Sequence, residues 1–145
     1  SGAHFAIGAL LDADGDDAYG TRYLATHSVV GLAHDFSVAV LVDGGGNDTW
    51  RGVDRSLGAS KCHGLGLLVD RAGDDSYTSN HERSIGWATD YDGAQGSCDD
   101  RSDLPTYGLF VDLDGTDTYS KPEGDALGND TLWINDDTLD EDALE

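Results

Sequence analysis

Apolar residues in this chain come in short runs. Val38–Val42 and Leu65–Val69 are typical, each opening after serine or glycine and closing on aspartate. Runs this short, rich in valine and leucine and bounded by turn formers, predict β-strands. No window sustains a helical period over three turns, although residues 21–34 and the tail "DDTLDEDALE" could each form a short helix. The polar stretches between the runs follow a rule. "LLDADGDDAYG" (10–20), "LVDGGGNDTWRG" (41–52), "LVDRAGDDSYT" (68–78) and "FVDLDGTDTYS" (110–120) share the frame apolar, apolar, Asp, x, x, Gly, x, Asp, x, Tyr/Trp.

The first aspartates are Asp12, Asp43, Asp70 and Asp112, and the second are Asp17, Asp48, Asp75 and Asp117. Gly15, Gly46, Gly73 and Gly115 stand between them, and Tyr19, Trp50, Tyr77 and Tyr119 close each copy. Four residues before each first aspartate the side chain is small: Gly8, Ala39, Gly66 or Gly108. A weaker fifth copy, "DALGNDTL" (125–132), keeps Asp125, Gly128 and Asp130 but closes on Leu132.

First aspartates recur at intervals of 31, 27 and 42 residues. Intervals near thirty predict an all-β chain folded as a parallel β-solenoid of about four to five coils. Its repeat domain would span 1–132, with a polar insertion at about 90–103 lengthening one interval and an acidic tail at 133–145. Gly31 and Gly58, each twelve residues before a first aspartate, suggest a further shared turn. An antiparallel sandwich of hairpins is the alternative.

Charge sharpens this picture. The chain carries 29 acids against 8 bases, a formal net charge of −21, and 25 of the acids are Asp. Glu would serve a merely solvated surface, whereas Asp suits turns and compact oxygen-ligand sites. No basic stripe exists to displace phosphate counterions, which argues against nucleic acid. No apolar run approaches the length of a membrane span. The sequence opens inside a repeat, as a piece processed or excised from something longer would.

Stacking the copies at the strand spacing of about 4.8 Å would line the aspartates up in two columns. Six like-charge contacts of about 1–3 kcal/mol each would total roughly 5–20 kcal/mol, comparable to the whole stability of a domain. Two lysines and six arginines, none recurring in the frame, cannot cancel that. Several Ca2+ ions could, since calcium takes six to eight oxygens in flexible geometry. The candidate ligands are Asp12, Asp14, Asp17, Asp43, Asp48, Asp70, Asp75, Asp112, Asp114, Asp117, Asp125 and Asp130. Asp16 and Asp74 add further carboxylates, whereas Gly45 and Thr116 do not. Magnesium demands stricter geometry, and zinc would ask for clustered His and Cys. Two other readings stay open: aspartates that only cap turn amides, and general halophilic acidity. The closing aromatics read as stacked packing rather than a sugar platform.

"DGGGNDTW" and "ALGNDTLW" resemble the G-G-x-G-x-D-x-U nonapeptide of RTX calcium-binding repeats, with Gly46/Asp48/Trp50 and Gly128/Asp130/Leu132 on its later positions. RTX units repeat every nine residues, whereas these recur near thirty. The longer frame is also similar to G-x-L-L-x-D-x-x-G-D-D-x-Y repeats of uncharacterised bacterial secreted proteins, and "DADGDD" resembles the loops of dockerin and FG-GAP repeats. These resemblances imply calcium binding and a secreted or cell-surface location. In an exported chain, Cys62 and Cys98 are candidates for a disulfide pinning the insertion, with free buried thiols as the alternative.

Two functions follow as expectations. One is a non-enzymatic extracellular calcium-binding module serving a surface, adhesion or filament role, self-associating by head-to-tail stacking or meeting a glycan or cell-surface partner. The other is a calcium-dependent carbohydrate-active protein similar in shape to polysaccharide lyases, with Arg55 and Arg71 as candidate arginines.

Overall fold

The structure is a computed structural model that describes residues 2–20, 30–81, 83–89, 98, 104–120 and 132–135. The strands follow the apolar runs and the closing aromatics. The first repeat gives β1 (Gly2–Ala3), β2 (Ile7–Leu11) and β3 (Ala18–Gly20); the second gives β4 (Ala33–His34), β5 (Val38–Val42) and β6 (Thr49–Gly52). The third gives β7 (Ser60–Lys61), β8 (Leu65–Asp70) and β9 (Ser76–Ser79). Then come β10 (Ala88–Thr89), β11 (Tyr107–Asp112), β12 (Thr118–Ser120) and β13 (Leu132–Asn135).

Equivalent strands pair with one another, giving sheets in the order β1-β4-β7-β10, β13-β11-β8-β5-β2 and β12-β9-β6-β3. Register follows the frame: Gly8 lies beside Ala39, Ala39 beside Gly66, and Gly66 beside Gly108. Asp70 is likewise beside Asp112. Every pairing is parallel except β11 with β13, which is antiparallel.

The expectation of a parallel β-solenoid is corrected by this arrangement. The described strands form three separate sheets of parallel strands, with no helix and no closed barrel among them, and the strand after the fifth copy runs backwards. The physical reason is that a repeat interval specifies which strands pair, because like edges meet like, and leaves the arrangement of the resulting sheets open. The parallel pairing also excludes the hairpin sandwich. Of the candidate helix at 21–34, Ala33–His34 is strand, and 21–29 lie outside the described residues, as do all of 90–103 but Cys98 and 136–145 of the expected tail, whose first residues, 133–135, belong to β13.

The core lies among Leu41, Trp50, Leu57, Leu68, Tyr77, Ile85 and Phe110, with Tyr19, Val30 and Tyr119 packed against it. Small residues at the start of each middle-sheet strand admit a neighbouring backbone. A Cβ on Gly66 would overlap the Ala59 carbonyl, and one on Gly108 would overlap that of Trp87. Cys62 and Cys98 are joined by a disulfide, with their Cα atoms 5.3 Å apart.

Candidate metal centre

Strand alternation carries the first aspartate indoors. Side chains two residues apart share a face, so Ala39, Leu41 and Asp43 point together, as do Gly66, Leu68 and Asp70, and Gly108, Phe110 and Asp112. Alternating burial along β5, β8 and β11 confirms that this is the inner face. Asp43 is 1 % exposed, and Asp70 and Asp112 are fully buried. Burying a carboxylate is costly unless something compensates its charge.

The turn that follows is held by glycine for a steric reason. Gly46, Gly73 and Gly115 adopt φ of +133°, +150° and +147°. A Cβ at each would overlap the carbonyl oxygen of the glycine one repeat earlier. This close approach brings the second aspartates within reach of the adjacent repeat. The Asp17 amide donates to Asp48 Oδ1 at 2.7 Å, that of Asp48 to Asp75 Oδ1 at 2.6 Å, and that of Asp75 to Asp117 Oδ1 at 2.8 Å. One position earlier a second ladder runs the other way. There the amides of Asn47, Asp74 and Thr116 donate to Oδ1 of Asp16, Asn47 and Asp74 at 2.8–2.9 Å. The two opposed ladders clamp successive turns together.

The closing aromatics reach back to the first aspartates. Tyr77 O–H and Trp50 Nε1–H both donate to Asp70 Oδ2, at 2.7 and 3.0 Å. Tyr119 donates to Asp112 Oδ2, and Tyr19 to Asp43 Oδ2 and Asp12 Oδ2. Their rings stack, with centroids 3.9 Å apart for Tyr19–Trp50, 6.0 Å for Trp50–Tyr77 and 4.9 Å for Tyr77–Tyr119. Burial and the adjoining carboxylates push the phenols of Tyr19, Tyr77 and Tyr119 far above their usual range, so all three remain donors.

In Asp48, Asp70, Asp75 and Asp112 these bonds satisfy one oxygen and leave the other, whereas both oxygens of Asp43 accept hydrogen bonds. Asp48 Oδ2, Asp70 Oδ1, Asp75 Oδ2 and Asp112 Oδ1 are buried without a hydrogen-bond partner. The Ala72 amide near the Asp70 carboxyl opposes part of its burial, while Oδ1 itself has no hydrogen-bond partner. Carboxylate oxygens gather into two triads, Asp43–Asp48–Asp70 and Asp75–Asp112–Asp117, each bringing three ligand atoms within 4.8 Å of one another. Among the described residues no ion pair reaches Asp43, Asp48, Asp70, Asp75 or Asp112. Burial, reinforced by neighbouring carboxylates, raises the Asp48 carboxyl to about 6 and that of Asp75 to about 7, against the opposing pull of their amide donors. Burial also raises Asp70 and Asp112. Such groups of buried aspartates could hold a metal ion, and an all-oxygen donor set suits hard cations rather than zinc.

The frame aspartates therefore divide. Six enter the triads, while Asp12 and Asp17 occupy equivalent but more exposed positions in the first repeat. Asp14 and Asp114 are exposed and belong to neither triad. Asp16 and Asp74 use an oxygen on the next turn's amide. Asp125 and Asp130 lie outside the described residues. Sequence reasoning missed the aromatic donors, although the signal was present: the closing residue is Tyr or Trp, never Phe. Of the candidate arginines, Arg55 is engaged with Asp54 at 2.9 Å and Arg71 is exposed. Compared with protein-family models, curated proteins and solved structures, the chain matches none.

Proposed function

We propose that this protein is a calcium-stiffened structural module of a secreted or cell-surface assembly, without catalytic activity of its own. The observation that carries the reading is the pair of aspartate triads in which Asp48, Asp70, Asp75 and Asp112 each keep a buried oxygen without a hydrogen-bond partner and, among the described residues, meet no side-chain cation. Calcium suits them because its oxygen distances of about 2.3–2.6 Å allow two ligands to lie up to about 5 Å apart across the ion. Each triad supplies three oxygens, and other oxygens or water complete the set. The resemblance to RTX repeats and to secreted repeat proteins supports both the ion and the location.

The structural role follows from where the triads sit. Each draws ligands from two successive repeats, so an ion there cross-links turns that otherwise share only hydrogen bonds. An ion bound to the folded state alone stabilises it by about 2.7 kcal/mol at a hundred times its dissociation constant. Calorimetric titration with calcium, against an EDTA-treated control, tests the reading. Saturable binding of about two ions per chain is expected. Absence of binding, with identical melting in calcium and EDTA, would leave the aspartates as turn formers that hold protons.

A further inference from the structure

We infer that the two triads hold ions of different kinds, one sealed and structural, the other exchanging with the surroundings. The inference rests on the metal-binding reading above and concerns how the two sites differ. In the first triad Asp43, Asp48 and Asp70 are all buried, at 1 %, 2 % and 0 % exposure. In the second, Asp75 and Asp112 are equally buried, but Asp117 is only partly buried.

The surroundings reinforce this contrast. Asp70 is gripped by two aromatic donors, the Trp50 indole and the Tyr77 phenol, and both rings are fully buried. Asp43 is held by the Gly45 amide at 2.8 Å and by Tyr19 O–H, whose ring, like that of Tyr119, is only partly buried. Asp112, in the second triad, receives the Tyr119 phenol, and that ring is only partly buried. An ion in the first triad leaves only when this packed layer opens. An ion in the second leaves past Asp117 with the core intact. Local opening of a packed layer costs free energy that opening at a partly buried side chain does not.

The two sites are also joined. The Asp48 amide, on a ligand of the first triad, donates to Asp75 Oδ1, on a ligand of the second. Asp70 and Asp112, one from each triad, are register neighbours on β8 and β11. The exchanging ion therefore braces the sealed site from one side. The chain would read external calcium through the second triad, while the first keeps the fold assembled.

Terbium(III), a luminescent calcium substitute excited through neighbouring aromatic rings, is the probe. The protein is loaded with terbium and chased with excess EDTA, and the decay of emission is followed. Two phases of one ion each are expected, differing in rate by more than about tenfold, about 1.4 kcal/mol or more in barrier. Emission lifetimes in light and heavy water should give the slow ion fewer bound waters than the fast one. Asp117→Asn should abolish the fast phase and spare the slow one. A single phase releasing two equally hydrated ions would overturn the inference and leave the metal-binding reading standing. No terbium binding at all would overturn both. Because the exchange and hydration measurements use the unaltered chain, they decide the matter even if the variant fails to fold.

Discussion

Two of the places where this protein buries aspartate neutralise it in opposite ways. Asp54 lies between two guanidiniums, Arg55 and Arg83, each 2.9 Å from Oδ2, with His81 Nδ1 3.4 Å from Oδ1. Among the described residues Asp43, Asp48, Asp70, Asp75 and Asp112 meet amides, phenols and an indole, all neutral donors. At Asp54 the compensating charge is covalently part of the chain and always present. For those five it is borrowed from solution, as a metal ion or a proton. A fixed cation makes stability indifferent to the medium, whereas a borrowed one makes it responsive.

Calcium removal should break this comparison most strongly. With two ions bound at a hundred times their dissociation constants, EDTA should cost about 5 kcal/mol, lowering the midpoint of thermal unfolding by roughly 15 °C. The next effect tests the fixed site. Asp54→Asn strands two arginines and should cost about 3 kcal/mol, the same in calcium and in EDTA. Asp70→Asn should differ in kind. In calcium it removes a ligand and costs about 2.7 kcal/mol through loss of one ion. In EDTA it should stabilise once the pH is high enough to ionise Asp70, whose carboxyl burial raises, because it then deletes a buried charge beside other carboxylates. Denaturant titrations of both variants in both buffers would show whether the two sites respond so differently.

The pH dependence sharpens the same contrast. Asp48 and Asp75 titrate near 6 and 7 when folded, above their usual 3.8, so the metal-free fold binds more protons than the unfolded chain between these values. Stability of the metal-free protein is therefore full below about pH 4 and should fall as pH rises towards 7. Calcium, competing with those protons, should bind more tightly over the same range and reverse the trend. The smallest effect is that of Tyr77→Phe, which removes one donor from Asp70 and should cost about 1.5 kcal/mol.

Strand positions and pairing partners were legible in the sequence, because the frame from Gly66 to Tyr77 recurs with the same spacing at Ala39–Trp50 and Gly108–Tyr119. The arrangement of the sheets was not, because spacing along the chain says nothing about how one sheet lies against the next. The reversal of β13 was also invisible: "GNDTLW" looks like another copy, and only its strand partner reveals its direction. Among the site residues, charge alone could not separate Asp14 from Asp12, two residues apart in one turn. Register across strands decides which carboxylates meet, as Asp70 with Asp43 and Asp48. The ladder role of Asn47 was hidden for a similar reason, since its bond runs to a turn 27 residues away.

The direction of β13 governs how the gene can vary. A unit of about thirty residues inserted or deleted between β2 and β11 exposes the same parallel edge that it covers, so unequal recombination could alter copy number without rebuilding either end. Beyond β11 the edge met by Leu132–Asn135 is antiparallel, and a further copy placed there would find no matching neighbour.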